Sequence, residues 1–195
     1  GIECEVIPGF SKRSIDDFNR DFKKSDHAWN AVKLYGKWYL MDVTWATCYY
    51  DEKKRKIIKD YDNTYFLTDP VYFSKKHLPE EEKWQLIENP VSRKEFKKSF
   101  IYHSGFYILN INNIEPQNGI IRLKATDTLI VRIKSGTKIV SAAIDLGYNT
   151  LIFEPQVQAK DEFYFIKQKF VRLGTYKLDL FLNNFSVATF KLEIY

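Results

Sequence analysis

Apolar and polar positions follow two regimes along the chain. From residue 100 onward the apolar residues come in short runs, near 101–111, 119–124, 128–134, 139–146, 150–153, 161–170, 175–182 and 185–194. Turn-forming groups punctuate them: Gln117-Asn118-Gly119, Ser135-Gly136, Gly147-Tyr148-Asn149, Leu173-Gly174 and Asn183-Asn184. Many short strands at regular spacing predict an antiparallel β-sandwich, with Asn183-Asn184 as a hairpin turn.

Residues 1–99 are mixed. Cys4–Ile7 reads as a strand closed by Pro8-Gly9, and residues 14–24 as a short amphipathic helix. Ser14 and Asp17 fit its cap, and Ile15, Phe18 and Phe22 share a face. A hairpin over 27–45 follows, turning at Gly36-Lys37. A charged excursion occupies 51–60, Tyr61–Leu67 resumes a strand, and 70–88 is turn and short helix. Val91–Phe96 predicts a capped helix, with Ser92 as N-cap and Glu95 its reciprocal partner. The pattern therefore divides the chain into 1–99 and 100–195.

The chemistry concentrates in the hairpin. His27 opens one strand and Asp42 lies near the end of the next; a base with its orienting acid makes two thirds of a nucleophilic triad. With Gly36-Lys37 as the loop, His27 opposes Ala46 and Asp42 shares its face, four residues away. That is roughly 13 Å along a strand, so a bulge or strong twist must close the gap. The bland alternative stays open on spacing alone: His27 a polar residue at a strand start, Asp42 a residue held by local amides. Trp29, Trp38 and Trp45 read as core.

Composition narrows the classes. The 195 residues include 45% hydrophobic and 16% aromatic positions, enough for a packed interior. The formal net charge is +5, spread over both halves, and clusters such as Lys53-Lys54-Arg55-Lys56 lie beside acids. That argues against a nucleic-acid groove. No apolar run approaches the roughly 20 residues of a membrane span. Gly1-Ile2-Glu3-Cys4 carries no basic leader, and a strand-like start without Met reads as a piece of something longer. Two cysteines make neither a disulfide framework nor a zinc site, so a cytosolic setting is the default. His27, His77 and His103 show no ligand spacing, and no metal or cofactor is expected. Cys4, in its apolar run, predicts a buried and inert thiol. Cys48, in the loop after Asp42, lacks a helix start to activate it.

Asp26-His27-Ala28-Trp29-Asn30 and Gly36-Lys37-Trp38-Tyr39-Leu40-Met41-Asp42-Val43-Thr44-Trp45 resemble the histidine and aspartate strands of the transglutaminase-like superfamily, in its kyphoscoliosis peptidase and hillarin branch. Gly1–Lys12 is similar to that branch's approach to the active-site strand. Tyr65-Phe66-Leu67-Thr68-Asp69-Pro70, His77-Leu78-Pro79 and Lys83-Trp84-Gln85-Leu86 are similar to its downstream signature. The resemblance implies an α+β fold: the C-terminal part of a transglutaminase-like (papain-like) core over 1–99, then an immunoglobulin-like β-sandwich over 100–195. It implies His27 as catalytic base and Asp42 as its partner, with His77 a signature position to which nothing in its chemistry assigns catalysis. The family's cysteine starts a helix some tens of residues before the histidine, and no residue here fits it. The chain departs from the branch's small, Gly-rich residues at Arg13-Ser14-Ile15-Asp16-Asp17 and at Ala46-Thr47-Cys48, which bears on cleft shape.

Two functions follow as expectations. In one, the chain is part of a thiol enzyme acting on Gln or peptide carbonyls, inactive without its nucleophile. In the other, it is a non-catalytic interaction or scaffold module. Either way the expected partner is a protein: a substrate, a binding partner, the missing N-terminal segment, or another chain. Neither nucleic acid nor membrane is expected, and cytoskeletal association follows from the branch alone.

Overall fold

The computed structural model describes residues 1–51, 54–147 and 152–195. The predicted turn at Tyr148-Asn149 and the start of the 150–153 strand lie outside the described residues, as do Glu52 and Lys53 of the charged excursion. The chain is β-rich with a few short helices. It divides into two compact units, Gly1–Lys12 with Asp21–Phe96, and Arg13–Arg20 with Lys97–Tyr195.

In the first unit, β1 (Cys4–Ser11), β2 (His27–Leu34), β3 (Lys37–Met41) and β6 (His77–Pro79) form an antiparallel sheet ordered β3-β2-β1-β6. A separate hairpin joins β4 (Cys48–Asp51) to β5 (Lys56–Lys59). Side chains alternate across a strand, so each sheet face collects its own set. One face buries Ile7, Trp29, Ala31 and Leu40 against Phe73, with Trp38, Trp84 and Leu86 packed around them. On the other, Phe10 and Leu78 bury against Phe22, Phe96 and Val91. Each buried Ile, Leu or Phe side chain among them contributes roughly 1.5–3 kcal/mol by leaving water.

Several sequence expectations are corrected here. β1 runs through Pro8-Gly9 to Ser11, because both sheet edges of that segment find partners. The 14–24 helix shrinks to a 3-10 turn, Ile15–Asn19, since Arg20 turns extended; its Ser14–Asp17 capping box does form. Phe18 and Phe22 are both buried, yet Phe22 belongs to the first unit and Phe18 to the second. Tyr61–Leu67 is no strand: Asp62 caps a 3-10 turn at Asn63–Tyr65, and only Thr68 bridges to Leu40. The capped helix near 91–96 is present as Arg93–Lys98, with Ser92 and Glu95 bonded reciprocally.

Among the described residues, the second unit holds two sheets. One is ordered β13 (Val157–Lys160), β14 (Phe163–Lys169), β10 (Thr128–Ser135), β8 (Ile111–Glu115). The other is ordered β12 (Ile152–Phe153), β11 (Ala142–Asp145), β15 (Gly174–Leu182), β16 (Phe185–Ile194), β7 (Ile101–Tyr102). β9 (Ile120–Leu123) adds to β16 in parallel. Alternate positions are buried, such as Leu129, Val131 and Ile133 on β10, and Leu178, Leu180 and Leu182 on β15. The expected strand over 101–111 is broken by a helix, Ser104–Ile108, where Gly105 lies so close to the Ser186 carbonyl that no side chain would fit. Asn183 and Asn184 both take positive φ, as a tight hairpin turn requires.

Candidate functional site

Register brings His27 and Asp42 together, and it differs from the register the sequence suggests. Leu34 pairs with Lys37, so the turn residues are Tyr35 and Gly36, both at positive φ. Moving the turn back one residue from Gly36-Lys37 shifts the pairing by two. Asn30 then opposes Met41, the last rung of the ladder. Asp42 follows immediately, and the chain leaves the sheet there as the helix α1, Val43–Thr47. The separation to bridge is therefore about two residues, roughly 7 Å, which side chains span without a bulge.

Asp42 terminates the strand and starts the helix with one carboxylate. Its Oδ1 accepts the Trp45 backbone N–H at 3.0 Å as the N-cap of α1. Its Oδ2 lies 2.6 Å from His27 Nε2. The bland account and the catalytic one thus describe two oxygens of the same group. A second imidazole joins them: His77 Nε2 lies 2.9 Å from that same Oδ2. His77 pairs with Ser11 on β6 while His27 pairs with Gly9 on β2, so both rings emerge on one face, flanking β1. His27 and His77, which show no ligand spacing in the sequence, thus meet on one carboxylate. His103 stands apart in the second unit, bonded to Thr189 at 2.8 Å.

The surroundings are aromatic. His27 stacks on Trp45, with ring centres 5.2 Å apart, and its side chain is 12% exposed. His77 is sealed, stacked on Phe73 at 4.1 Å and met edge-on by Trp29 at 4.9 Å. Trp29 reaches His77 because Gly9 leaves room; a Cβ there would stand 2.3 Å from the indole. Behind Trp45, the buried Lys76 ammonium lies over the Trp45 and Tyr65 rings and donates to the Tyr65 hydroxyl.

Burial pushes the Asp42 carboxyl up, but the bonds from His27, His77 and Trp45 outweigh it and hold the group well below the usual carboxylate range. An ionised carboxylate only accepts, so both Nε2 atoms must donate. Burial also pushes His77 down to about 4, against the pull of Asp42. Burial lowers Lys76 to about 8, with Asp62 and Asp42 opposing. His77 is therefore neutral, and its Nδ1 is buried without a hydrogen-bond partner among the described residues.

A stability profile follows. The unfolded chain protonates His77 near 6.5, while the folded one resists until about 4. Stability from this group is complete above pH 6.5 and declines as pH falls toward 4, by up to ~1.4 kcal/mol per pH unit. Urea midpoints at pH 7.5 and 5 should show that loss, and His77→Gln should flatten it.

The ligand atoms of His27, Asp42 and His77 lie within 4.8 Å of one another, close enough to surround a divalent cation. Hydrogen bonding accounts for them better. Both imidazoles point at one oxygen, and His77 Nδ1 lacks the outer partner that metal-bound imidazoles keep.

Cys4 pairs with Val32 and lies five positions from Gly9 on β1, hence on the opposite face of the sheet. It is exposed, contrary to expectation, as is Val6 on the same face. Cys48 is the C-cap of α1, its Sγ donating to the Thr44 carbonyl at 3.5 Å. The sequence did not mark His77 as part of the site. Its usable signal was a histidine opening an apolar-Pro triplet that could pair with β1.

No family model matches the chain. Over 136 residues, 66% of the chain and 20% of the relative, it is 37% identical to kyphoscoliosis peptidase of Mus musculus. It is 28% identical over 167 residues, 79% of the chain and 20% of the relative, to hillarin of Drosophila melanogaster. Lim and transglutaminase domain protein ltd-1 of Caenorhabditis elegans is 28% identical over 166 residues, 78% of the chain and 22% of the relative. The chain spans about one fifth of the length of the curated relatives it matches. These likenesses place it among transglutaminase-like proteins. Within them, it belongs to the kyphoscoliosis peptidase and hillarin branch. Among the described residues no helix is long and apolar enough to cross a membrane.

Proposed function

We propose that this chain supplies the base and its orienting acid for thiol-based acyl transfer on a Gln or peptide carbonyl, the cysteine coming from sequence outside residues 1–195 or from another chain. The observation that carries this is the 2.6 Å pairing of His27 Nε2 with a buried, ionised Asp42. With Nε2–H committed to Asp42, Nδ1 of neutral His27 carries the lone pair that takes a proton from an incoming thiol. The thiolate attacks the carbonyl, the imidazolium returns its proton to the leaving amine, and a thioester remains. Water or a lysine amine then releases the acyl group. The chain alone is inactive, since Cys4 lies on the wrong face and Cys48 caps a helix end. The same reading makes the first unit part of a papain-like core and the second an immunoglobulin-like sandwich, for which two largely antiparallel sheets with alternate burial are the support.

The test uses a protein that carries the sequence upstream of these residues. One thiol should react with iodoacetamide at neutral pH at least about 100-fold faster than Cys4 and Cys48, a gap that an activated thiolate produces. His27→Ala should abolish that gap. Uniform, slow labelling of all thiols refutes the proposal.

The non-catalytic reading draws on one observation. Cys4 and Val6, successive positions on one face of β1, are both exposed, a small apolar surface that could meet another protein. It requires His27→Ala to leave partner binding and cellular function intact.

A further inference from the structure

The Asp42 carboxylate has three donors where an orienting acid needs one, and the third is unexplained by the roles of His27 and α1. His77 contributes it from a side chain with no exposure, enclosed by Phe73, Trp29, Trp45 and Tyr65. Burying an imidazole whose Nδ1 finds no partner is costly. Packing alone would be served better by Phe or Leu. Among the described residues, the polar contact that offsets the cost is the 2.9 Å bond to Asp42.

We propose that His77 is a positioning residue: as a buried N–H donor it fixes the Asp42 carboxylate and shares Oδ2 with His27, setting how firmly Asp42 holds a proton on His27. This rests on the reading of His27 as base. Two donors on one oxygen divide its negative charge, so His27 feels a weaker counter-charge than an unshared aspartate would impose. Too strong a counter-charge would keep His27 protonated and unable to take a proton from a thiol. His77 itself cannot substitute as base, because it is sealed from solvent. Its titratable and charged neighbours are Asp42, His27, Lys76 and the Tyr65 hydroxyl. Burial above all, with Lys76 adding to it, opposes protonation of His77 and keeps it a donor without charge.

Imidazole NMR on the 195-residue chain tests this without any nucleophile. In the native chain His77 should show the Nε2–H tautomer and remain neutral at pH 5.5. His77→Phe, which removes the donor while filling the cage, should raise the His27 titration midpoint by about half to one pH unit. His77→Gln, which restores an N–H donor, should return it toward the native value. A native His77 that is protonated, or that carries its proton on Nδ1, overturns the proposal. So does a His27 midpoint unmoved in His77→Phe while its amide spectrum stays native. If His77→Phe fails to fold, the native tautomer and the His77→Gln midpoint decide alone. Absence of a reactive thiol in a longer protein would sink the catalytic reading but leave these titrations as they are.

Discussion

Asp42→Ala is expected to destabilise the first unit by roughly 3–5 kcal/mol, the cost of breaking a buried charged network from one side. The substitution strands the His27 and His77 Nε2 donors and the Trp45 N–H together. His77 is worst placed, since it is 1% exposed and already has an unpartnered Nδ1. Asp42→Asn should cost less and reveal more. Its carbonyl can still cap α1, but its NH2 faces two rings that must both become acceptors. Each imidazole then carries its proton on Nδ1, which for His77 lies in an apolar cage. Chemical denaturation of the three proteins at pH 7.5 orders them, and an Asp42→Ala loss below about 1 kcal/mol would contradict the network.

Gly9→Ala should be the second severe change, at about 1–3 kcal/mol, the usual cost of overpacking. The new methyl would meet Trp29 at 2.3 Å and the Leu78 carbonyl at 2.4 Å, one an indole locked in the core and the other backbone. Neither can withdraw cheaply. Relief would push β6 from β1 or turn Trp29 away from His77. Either movement disturbs the 2.9 Å bond from His77 to Asp42. Thermal unfolding monitored by tryptophan fluorescence should report a lower midpoint. The same variant should also alter the His77 imidazole signal. An unchanged signal in a destabilised protein would separate sheet packing from the site.

Pattern and chemistry together carried part of this site. His27 and Asp42 were legible as a pair because a histidine and an aspartate at the ends of a Trp-rich hairpin share a face. Their distance was not, because one residue in the turn, Tyr35-Gly36 against Gly36-Lys37, changes the pairing by two and halves the gap. Local propensity also favoured extending the strand through Trp45, whereas the Asp42 side chain caps its own backbone and starts a helix. His77 was the larger omission. Its 35-residue separation from Asp42 is closed by β6 pairing with the far side of β1, a long-range event no local window contains.

The alternating runs, the turn residues and the capping boxes at Ser14 and Ser92 are set by neighbours in the chain, so the amino-acid order alone determined the β-rich character and several element ends. Where β1 continued, which face Cys4 took, and which imidazoles met on Asp42 depended on partners distant in sequence. Strand pairing and burial supply those partners, and they exist only once the chain has folded. The proton positions on His27 and His77 belong to that second group. They follow from a buried, ionised carboxylate and from the rings of Trp29, Trp45, Tyr65 and Phe73, drawn from four separate segments around His77.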